Sequence, residues 1–292
     1  MIKDLWSALR PPQWVKNLVV FAAVIFARRY HDLDKLVLAG VAFVCFCLIS
    51  SAVYLINDLF DRSGDRNHPA KKDRPIASGR VSTTAALVTA FVLGLVGLSV
   101  SVVVLEPLFL AVIGGYILLN LAYSTALKHV VILDVMTIAG GFVLRAVGGG
   151  LAVDVPISSW LLLCTTLLAL FLGFGKRRHE LVLLGDRADE HRGILTEYSP
   201  YFLDQMIGVV TASTVVAYSF YTLSTEVQEK LGTHKLFLTV PFVLYGVFRY
   251  LYLIHQRRVG GNPTRVLLTD RPLLLTVLLW LTCVLVIMSW HA

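Results

Sequence analysis

Nine apolar runs, each about as long as a lipid bilayer is thick, dominate this chain of 292 residues. A helix needs roughly 20 apolar residues to cross the hydrocarbon core, and helices satisfy their own backbone polar groups there. The sequence therefore predicts an all-α polytopic membrane protein with about nine transmembrane helices. The runs cover residues 12–28, 36–56, 83–105, 107–125, 131–151, 156–175, 205–223, 235–255 and 272–290.

The composition agrees with this prediction. Charged residues make up 15% of the chain and hydrophobic residues 57%, whereas about 25% of a soluble domain is charged. The four cysteines lie inside apolar runs, without the spacing of a metal site or a disulfide framework. Since no other segment is long enough to fold separately, residues 1–292 are predicted to form a single integral-membrane catalytic domain. Its polar loops would be residues 57–82 and 176–204.

The distribution of Lys and Arg predicts the orientation of the helices. With the N-terminus inside, the inner segments carry 19 of these residues and the outer segments carry 5. Cytoplasmic loops of membrane proteins are enriched in Lys and Arg. We therefore expect a cytoplasmic N-terminus, an external C-terminus and both polar loops on the cytoplasmic side of the cell membrane. The net charge of +7 is then explained by contact with membrane lipids, without a nucleic-acid partner.

The first polar loop opens with an unusual set of oxygen ligands, in the stretch NDLFDRSGD. Asn57, Asp61 and Asp65 share one helical face if the preceding helix continues, and Asp58 joins its edge. The helix dipole disfavours anions at this C-terminal end. Converging oxygens suit Mg²⁺, which usually takes one or two carboxylates and completes its shell with water and substrate phosphates. A solvated charged loop is the alternative, but the regular spacing favours a magnesium site.

Basic residues follow these acids along the chain. Lys71, Lys72 and Arg74 come after Gly64, a residue expected to end the helix. A basic group beside a metal site indicates an anionic ligand, most simply a diphosphate. Membrane-surface charge explains part of this group as well.

A second basic group opens the other polar loop, in GFGKRRHEL. Lys176, Arg177 and Arg178 end the sixth apolar run. They either bind phosphate, since arginine offers two parallel hydrogen bonds, or carry the positive charge typical of a cytoplasmic helix end. Glu180 lies four residues after Lys176, so the two can form a helical ion pair. The two polar loops follow the second and sixth runs, which suggests two four-helix halves plus a ninth helix.

One arginine lies inside an apolar run, in GGFVLRAVGGG. A charge at membrane depth usually faces a polar cavity, so Arg145 is predicted to serve the site rather than to extend to the membrane surface. The glycines around it allow helices to pack closely. Weaker candidates at inner helix ends are Lys16, Tyr123 and Lys128.

Taken together, these segments resemble the UbiA superfamily of intramembrane prenyltransferases. NDLFDRSGD matches the NDxxDxxxD motif of that superfamily, KKDRPIASGRVS matches the segment after it, and GFVLRAVGGG is similar to its fifth-helix segment. The resemblance covers essentially the whole chain. It implies nine transmembrane helices around a central cavity, with the active site under the cytoplasmic loops after helices two and six.

One departure from the superfamily pattern narrows the resemblance. Typical members carry a second aspartate-rich motif after helix six, which binds a second Mg²⁺ and the prenyl diphosphate. Here the acids of that loop, Asp186, Asp189 and Glu190, come late and lack the pattern. GKRxxEL, RPPQWVKN, SAVYLINDLFDRSGDRNHP and EYSPYFL instead resemble the decaprenyl-phosphate phosphoribosyltransferase branch. That branch transfers 5-phosphoribose from phosphoribosyl diphosphate to a polyprenyl phosphate.

The resemblance and the residue chemistry together predict a Mg²⁺-dependent membrane pentosyltransferase. The expected ligands of Mg²⁺ and the donor diphosphate are Asn57, Asp58, Asp61 and Asp65, with Asp58 and Asp61 the catalytic pair. The expected phosphate-binding residues are Lys71, Arg74, Lys176, Arg177 and Arg178. Further substrate contacts are expected at Lys16, Tyr123, Lys128, Arg145 and Glu180. The attacking phosphate is already an anion near neutral pH, because its second pKa is about 6, so no strong general base is required.

Two other functions stay open at this point. One is a prenyltransferase that moves a polyprenyl group from its diphosphate to an aromatic or other small acceptor. The other is a transporter or lipid-binding membrane protein that reuses the fold. Charges inside the runs are nearly confined to Arg145 and Arg249, which suits a one-sided active site better than a pathway across the bilayer. The sequence leaves the polyprenol length and the oligomeric state open.

Overall fold

The computed structural model describes residues 2–67, 71–184, 193–257 and 259–290, which form helices and turns without a strand. Within these residues, eight helices are long and apolar enough to cross a membrane. The prediction of an all-α, polytopic membrane protein is therefore confirmed. In chain order the α-helices are α1 (Ile2–Ala8), α2 (Ala22–Phe26), α3 (Leu33–Phe60), α4 (Arg62–Asn67), α5 (Thr83–Val104), α6 (Pro107–Thr125), α7 (Leu133–Ala152), α8 (Ser159–Leu184), α9 (Pro200–Leu223), α10 (Thr225–Leu231), α11 (Val240–His255), α12 (Pro263–Thr269) and α13 (Arg271–Ser289).

Short 3₁₀ segments lie between several of these helices, and polar side chains mark where helices begin. The 3₁₀ segments are Pro11–Phe21, Leu127–His129, Gly193–Glu197 and Lys235–Thr239. An N-cap side chain accepts a hydrogen bond from an amide of the first turn, which would otherwise lack a partner. Such caps are present at Asp32, Ser82, Ser199, Asn262 and Asp270.

The first predicted apolar run differs most from expectation. It forms the 3₁₀ segment Pro11–Phe21 followed by the short helix α2, ending at Phe26. A 3₁₀ helix rises about 2.0 Å per residue, against about 1.5 Å for an α-helix, so Pro11–Phe26 still reaches about 30 Å. The predicted number of nine is therefore approximate: eight long helices and this shorter apolar segment account for it.

The chain divides into two compact units, each with four of the long helices. The first unit comprises Met1–Val24 and Asp32–Pro156, and the second comprises Ile25–His31 and Ile157–Ala292. The expected two halves of four helices each are present, but the division between them lies elsewhere in the chain than expected. The extra apolar segment is the first one, not the last, and the division falls after the fifth predicted run.

The core of the first unit depends on close approach between helices. Phe46 of α3 packs edge-on against Phe109 and Tyr116 of α6, with ring centroids 5.7 Å apart in both pairs. A Cβ atom at Gly149 of α7 would lie 2.1 Å from the carbonyl oxygen of Val20 in the 3₁₀ segment. Only glycine fits there, which confirms that the glycines around Arg145 allow close packing.

The second unit has an aromatic core in which the polar tips of Trp280 and Tyr218 are hydrogen-bonded. The indole nitrogen of Trp280 donates to the hydroxyl of Tyr218 at 2.8 Å, and that hydroxyl lies 2.6 Å from Thr239 Oγ1. Arg249 of α11 forms a two-bond ion pair with Asp270, the cap of α13, at 3.1 and 2.8 Å. Hydrogen bonding to this guanidinium holds the pKa of the Asp270 carboxyl below its usual range.

Candidate active site

The acids of the first loop lie where α3 passes into α4. The amide of Asp61 donates to the carbonyl of Asn57 at 2.9 Å, and the amide of Asp65 donates to the carbonyl of Asp61 at 2.8 Å. These two bonds have α-helical spacing, but α3 ends at Phe60 and Asp61 lies between α3 and α4. The helix expected to carry all of these acids is therefore interrupted at Asp61. Gly64 lies within α4, so the prediction that it ends the helix is wrong.

Two of these acids share one guanidinium group. Nη1 of Arg74 lies 3.0 Å from Oδ1 of Asp58 and 2.6 Å from Oδ2 of Asp65. Lys71 Nζ lies 3.9 Å from the other oxygen of Asp65. Both carboxylates are buried, and an isolated buried charge costs several kcal/mol, so these cations are required to keep the pair in place.

A second guanidinium, from Arg10, contacts the same oxygen of Asp58. Its Nη2 lies 2.5 Å from Oδ1, and the group also lies over the ring of Tyr54, 5.1 Å from the centroid. Arg10 has a φ of 57°, a left-handed conformation that non-glycine residues seldom adopt. The following residue, Pro11, disfavours a right-handed helical conformation at Arg10. Sequence reasoning missed Arg10, although it begins the quoted segment RPPQWVKN.

The other two oxygen ligands have different partners. Ser124 Oγ of α6 donates to Asn57 Oδ1 at 2.5 Å, and Lys128 Nζ donates to Asp61 Oδ1 at 2.8 Å. The side chain of Asp61 is 42% exposed. The predicted face of Asn57, Asp61 and Asp65 is therefore divided, because Asp65 has its contacts with Arg74 and Lys71 and is grouped with Asp58.

The acids suit a hard divalent cation, but they do not form a preformed coordination site for one. Across the residues that the structure describes, no three or more His, Cys, Asp or Glu side chains are arranged to hold a metal. Mg²⁺ does not need three, since it usually takes one or two carboxylates and adds water and substrate phosphates. Asp58 and Asp65 are two such carboxylates, and both already direct an oxygen at one cationic nitrogen. The donor set therefore fits Mg²⁺ at the position that Arg74 now neutralises.

Arg145 is enclosed in the interior of the first unit. Its Nε donates to Asn17 Oδ1 at 2.6 Å, Nη1 to the carbonyl of Gly141 at 2.7 Å and Nη2 to the hydroxyl of Tyr116 at 2.7 Å. The charge does not face lipid, as expected for an arginine at this depth. All three nitrogens have protein acceptors, so the structure gives Arg145 a positioning role that fixes the 3₁₀ segment against α7. Its contact with substrate stays a prediction.

Lys16 lies beside groups of its own sign. Its charged neighbours include the guanidinium groups of Arg145 and Arg10, and the hydroxyl of Tyr123 is also near. In the ion pairs found among the described residues, no carboxylate is assigned to Lys16. Lys16 is half-buried near two guanidinium groups, and this excess of positive charge favours an anion, in line with the prediction that Lys16 and Tyr123 contact substrate.

The basic group of the second unit is organised around Glu180. Lys176 Nζ lies 3.6 Å from Oε1 and Arg177 Nη1 lies 2.5 Å from Oε2 of this residue. The predicted pairing of Lys176 with Glu180 is confirmed. The two cations differ sharply in access, because the side chain of Arg177 is 0% exposed and that of Lys176 is 37% exposed. A phosphate from outside would reach Lys176, whereas Arg177 supports Glu180 from within.

Arg178 has a separate set of contacts that joins three helices. Its Nε and Nη2 both donate to Asp204 of α9, the latter at 3.3 Å. His255 of α11 places Nε2 3.1 Å from Asp204 Oδ1 and Nδ1 2.9 Å from the carbonyl of Leu251. Sequence reasoning missed Asp204 and His255, although Asp204 directly follows the quoted EYSPYFL. The late acids Asp186, Asp189 and Glu190 lie outside the described residues.

The UbiA prenyltransferase family is matched over residues 17–269. The chain belongs to this family. It is 35% identical to the decaprenyl-phosphate phosphoribosyltransferase of Mycolicibacterium smegmatis, over 96% of this chain and 91% of that protein. It is also 33% identical to the protein of that name from Corynebacterium glutamicum, over 95% of this chain and 84% of that protein.

A solved structure shows the same UbiA fold. The chain is similar to a UbiA homolog from Archaeoglobus fulgidus bound to GPP and Mg²⁺, with a TM-score of 0.72. The similarity covers 98% of this chain and 99% of that one at 18% identity. At this identity the likeness shows the fold alone, and it confirms the family fold expected from the sequence motifs.

Proposed function

We propose that this protein transfers 5-phosphoribose from phosphoribosyl diphosphate to a polyprenyl phosphate and releases diphosphate. The observation that carries the proposal is chain-long similarity, at 35% and 33% identity, to two decaprenyl-phosphate phosphoribosyltransferases. The basic group at the end of α8 supports it. That group offers cations where a second aspartate-rich motif would offer carboxylates.

The donor diphosphate is assigned to the first cluster, formed by the acids and the amide of NDLFDRSGD with the cations that contact them. Asp58 and Asp65, with Asn57 and Asp61 beside them, would hold Mg²⁺, which when bound neutralises charge on the departing diphosphate. Arg74 is within reach of the same place, and guanidinium groups bind phosphate oxygens through short charge-assisted hydrogen bonds. Lys71, Lys128 and Lys16 would bind further phosphate oxygens, because each lies beside this cluster or beside Arg10.

The reaction needs little proton transfer. A phosphate oxygen of the polyprenyl phosphate attacks the anomeric carbon of the ribose, and the bond from that carbon to the diphosphate oxygen breaks. The leaving diphosphate takes the electron pair. The attacking group is an anion near neutral pH, since the second pKa of a phosphate monoester is about 6. The residues therefore act mainly by orienting the two substrates and by stabilising the charge on the leaving group.

The second cluster, formed by the basic residues at the end of α8 with Glu180 and Asp204, is assigned to a phosphate carried by one of the substrates. Lys176 presents a half-exposed ammonium group, and Glu180 holds it in place at 3.6 Å. Arg178 would offer its remaining donors while Asp204 fixes the orientation of its guanidinium plane. Phosphoribosyl diphosphate carries a 5-phosphate in addition to its diphosphate, so its binding requires more cations than a prenyl diphosphate does.

Membrane orientation is part of the proposal. The 19 to 5 excess of Lys and Arg supports a cytoplasmic N-terminus and a cytoplasmic active site. Asn67, at the end of α4, is exposed and suits a single cysteine in a variant without the four native ones. It should react with an impermeant maleimide only in inverted membrane vesicles. Labelling in intact cells would contradict the orientation.

The activity is tested with two substrate pairs. Detergent-purified protein and Mg²⁺ are incubated either with phosphoribosyl diphosphate and a polyprenyl phosphate, or with a prenyl diphosphate and an aromatic acid, and the lipids are analysed by mass spectrometry. We expect a polyprenyl phosphoribose product from the first pair alone. Product from the second pair alone would replace the proposal with prenyl transfer.

A further inference from the structure

Arg74 neutralises the two carboxylates that the proposed function assigns to Mg²⁺. One of its nitrogens lies within 3.0 Å of an oxygen from each acid, Asp58 and Asp65. Mg²⁺ binds its oxygen ligands at about 2.0–2.1 Å. A metal that draws on these same oxygens would therefore lie against the guanidinium group, and two like charges in contact repel each other.

The two guanidinium groups on Asp58 differ in their other contacts, although both side chains are 28% exposed. Arg10 contacts Asp58 and lies over the ring of Tyr54. Arg74 places one nitrogen against both Asp58 and Asp65, which is the position that a metal bound by both acids would take. A metal there would therefore displace Arg74, while Arg10 keeps part of the charge on Asp58 balanced.

A displaced Arg74 needs a new anionic partner, and a diphosphate supplies one. Guanidinium binds phosphate oxygens through the same paired hydrogen bonds that it forms with carboxylates. Without diphosphate, a metal gains the two carboxylates only by leaving Arg74 without a partner. With diphosphate present, the arginine passes from carboxylate to phosphate as the metal enters.

We propose that Arg74 competes with the divalent metal for Asp58 and Asp65 and becomes a diphosphate ligand when the metal binds, so that metal and diphosphate bind as a coupled pair. The coupling is reciprocal, because each ligand must raise the affinity of the other by the same factor. Metal alone then binds weakly, and the donor diphosphate assembles its own metal site. The inference rests on the metal assignment in the proposed function, but not on whether the donor carries a sugar or a prenyl group.

Arg74→Gln tests the competition, with Mn²⁺ in place of Mg²⁺ because its free form is measured by electron paramagnetic resonance. In detergent-purified full-length protein without diphosphate, the variant should bind Mn²⁺ more tightly than wild type, by at least about fivefold. Binding of labelled inorganic diphosphate at excess Mn²⁺, measured by equilibrium dialysis, should weaken by at least about fivefold. The two affinities thus change in opposite directions.

Arg80→Gln is the matched control. It removes the same charge from the same loop, but Arg80 pairs with Asp4 at 3.0 Å and with the carbonyl of Asp73. Both affinities should stay within about twofold of wild type. If Arg80→Gln tightens Mn²⁺ as much as Arg74→Gln does, the effect is general electrostatics and the inference is overturned.

Other outcomes separate the remaining roles of Arg74. Weaker binding of both ligands, with a lower melting temperature, would make Arg74 a structural link and overturn the competition, and Arg74→Lys then shows whether charge restores the fold. Unchanged Mn²⁺ affinity with weaker diphosphate binding would make it a phosphate ligand only. Failure of wild type to bind Mn²⁺ even with diphosphate would overturn both this inference and the metal assignment. Failure of the sugar-donor assay with normal metal binding would overturn the proposed function alone.

Discussion

The polar clusters of the two units are built from the same kinds of charge in opposite arrangements. In the first unit, the acids lie at the end of α3, at the junction that follows it and in α4, and cations reach them from separate parts of the chain, at Arg10, Arg74 and Lys128. In the second unit, three consecutive cations lie on α8. Their acids come from the same helix, at Glu180, and from α9, at Asp204.

This difference shows which group each cluster holds fixed. The helices α3 and α4 fix the backbone of Asp58 and Asp65, whereas Arg74 lies in turns outside any helix and is proposed to change partner when a metal binds. The first cluster therefore presents fixed carboxylates with exchangeable cations, which suits a site that admits a metal. The second presents fixed cations, two of which, Lys176 and Arg178, keep partial exposure beside their acids. That arrangement suits binding of a phosphate that arrives with its own charge.

The largest expected effect comes from removing a fixed carboxylate of the first cluster. Asp61→Asn keeps the shape of the side chain but loses the charge that faces Lys128 at 2.8 Å. We expect turnover to fall by roughly 10²–10³-fold, the usual loss when one electrostatic stabiliser of a transition state is removed. Turnover is measured at saturating donor and Mg²⁺, with membrane insertion confirmed.

Asp73→Asn is the matched control for that change. Asp73 is exposed in the same loop and contributes only its carbonyl to the contact with Arg80. Turnover of the Asp73→Asn variant should equal that of wild type. Near-normal turnover of Asp61→Asn would remove the metal assignment at this residue and with it the contrast between the clusters.

The next prediction compares how much Arg145 and Arg249, the two arginines inside predicted apolar runs, contribute to the stability of the folded protein. Arg145→Leu leaves Asn17 and Tyr116 without their buried donor, which should cost at least about 3 kcal/mol of unfolding free energy. Arg249→Leu should shift the melting temperature less, because Arg249 is 26% exposed beside Asp270. Thermal unfolding in detergent measures both. An unchanged melting temperature for Arg145→Leu, with a raised KM for donor, would make Arg145 a substrate contact instead.

Much of the fold was predictable, because membrane helices are encoded by length and hydropathy alone. Eight of the nine predicted runs correspond to long helices. The exception, Pro11–Phe21, has the right composition but a 3₁₀ backbone, and hydropathy carries no information about that choice. Gly149 was identifiable as a packing glycine, but its partner, the carbonyl of Val20, lies far away in sequence and could not be read from a local pattern.

The sequence predicted many residues of the candidate site, but not which of them contact one another. Helical spacing correctly linked Lys176 with Glu180, since both lie on one helix. Spacing could not show that Arg74 bridges Asp58 and Asp65, because that contact depends on how the loop folds back on α4. Side-chain exposure could not be predicted from spacing either. Lys176, Arg177 and Arg178 are alike in the sequence, although Arg177 is fully enclosed in the structure.

The enclosed and exposed cations of α8 give the third prediction. Lys176→Ala should weaken donor binding by roughly 10- to 150-fold, because one charge-assisted hydrogen bond is worth about 1.5–3 kcal/mol, and should leave the Mg²⁺ requirement unchanged. Arg177→Ala should lower the melting temperature, because it leaves Glu180 without its shorter contact. Donor affinity follows from titration calorimetry. Equal losses of affinity with equal melting temperatures would show that both cations contact phosphate directly.

The smallest effect is expected at Asp204, which acts through Arg178. Asp204→Asn keeps one oxygen acceptor but loses the charge and one of the two bonds that hold the guanidinium plane. We expect KM for the donor to rise a few-fold, well below the effect of removing a direct phosphate contact, while kcat stays near wild type.

Two further variants separate positioning by Asp204 from a general structural role. Asp204→Glu keeps the charge and should recover most of the lost affinity, and His255→Gln, which removes the other contact of Asp204 at 3.1 Å, should change KM less than Asp204→Asn does. A loss of kcat at unchanged KM would instead place Asp204 in the chemical step. The second cluster would then contain a catalytic carboxylate, and its contrast with the first cluster would no longer hold.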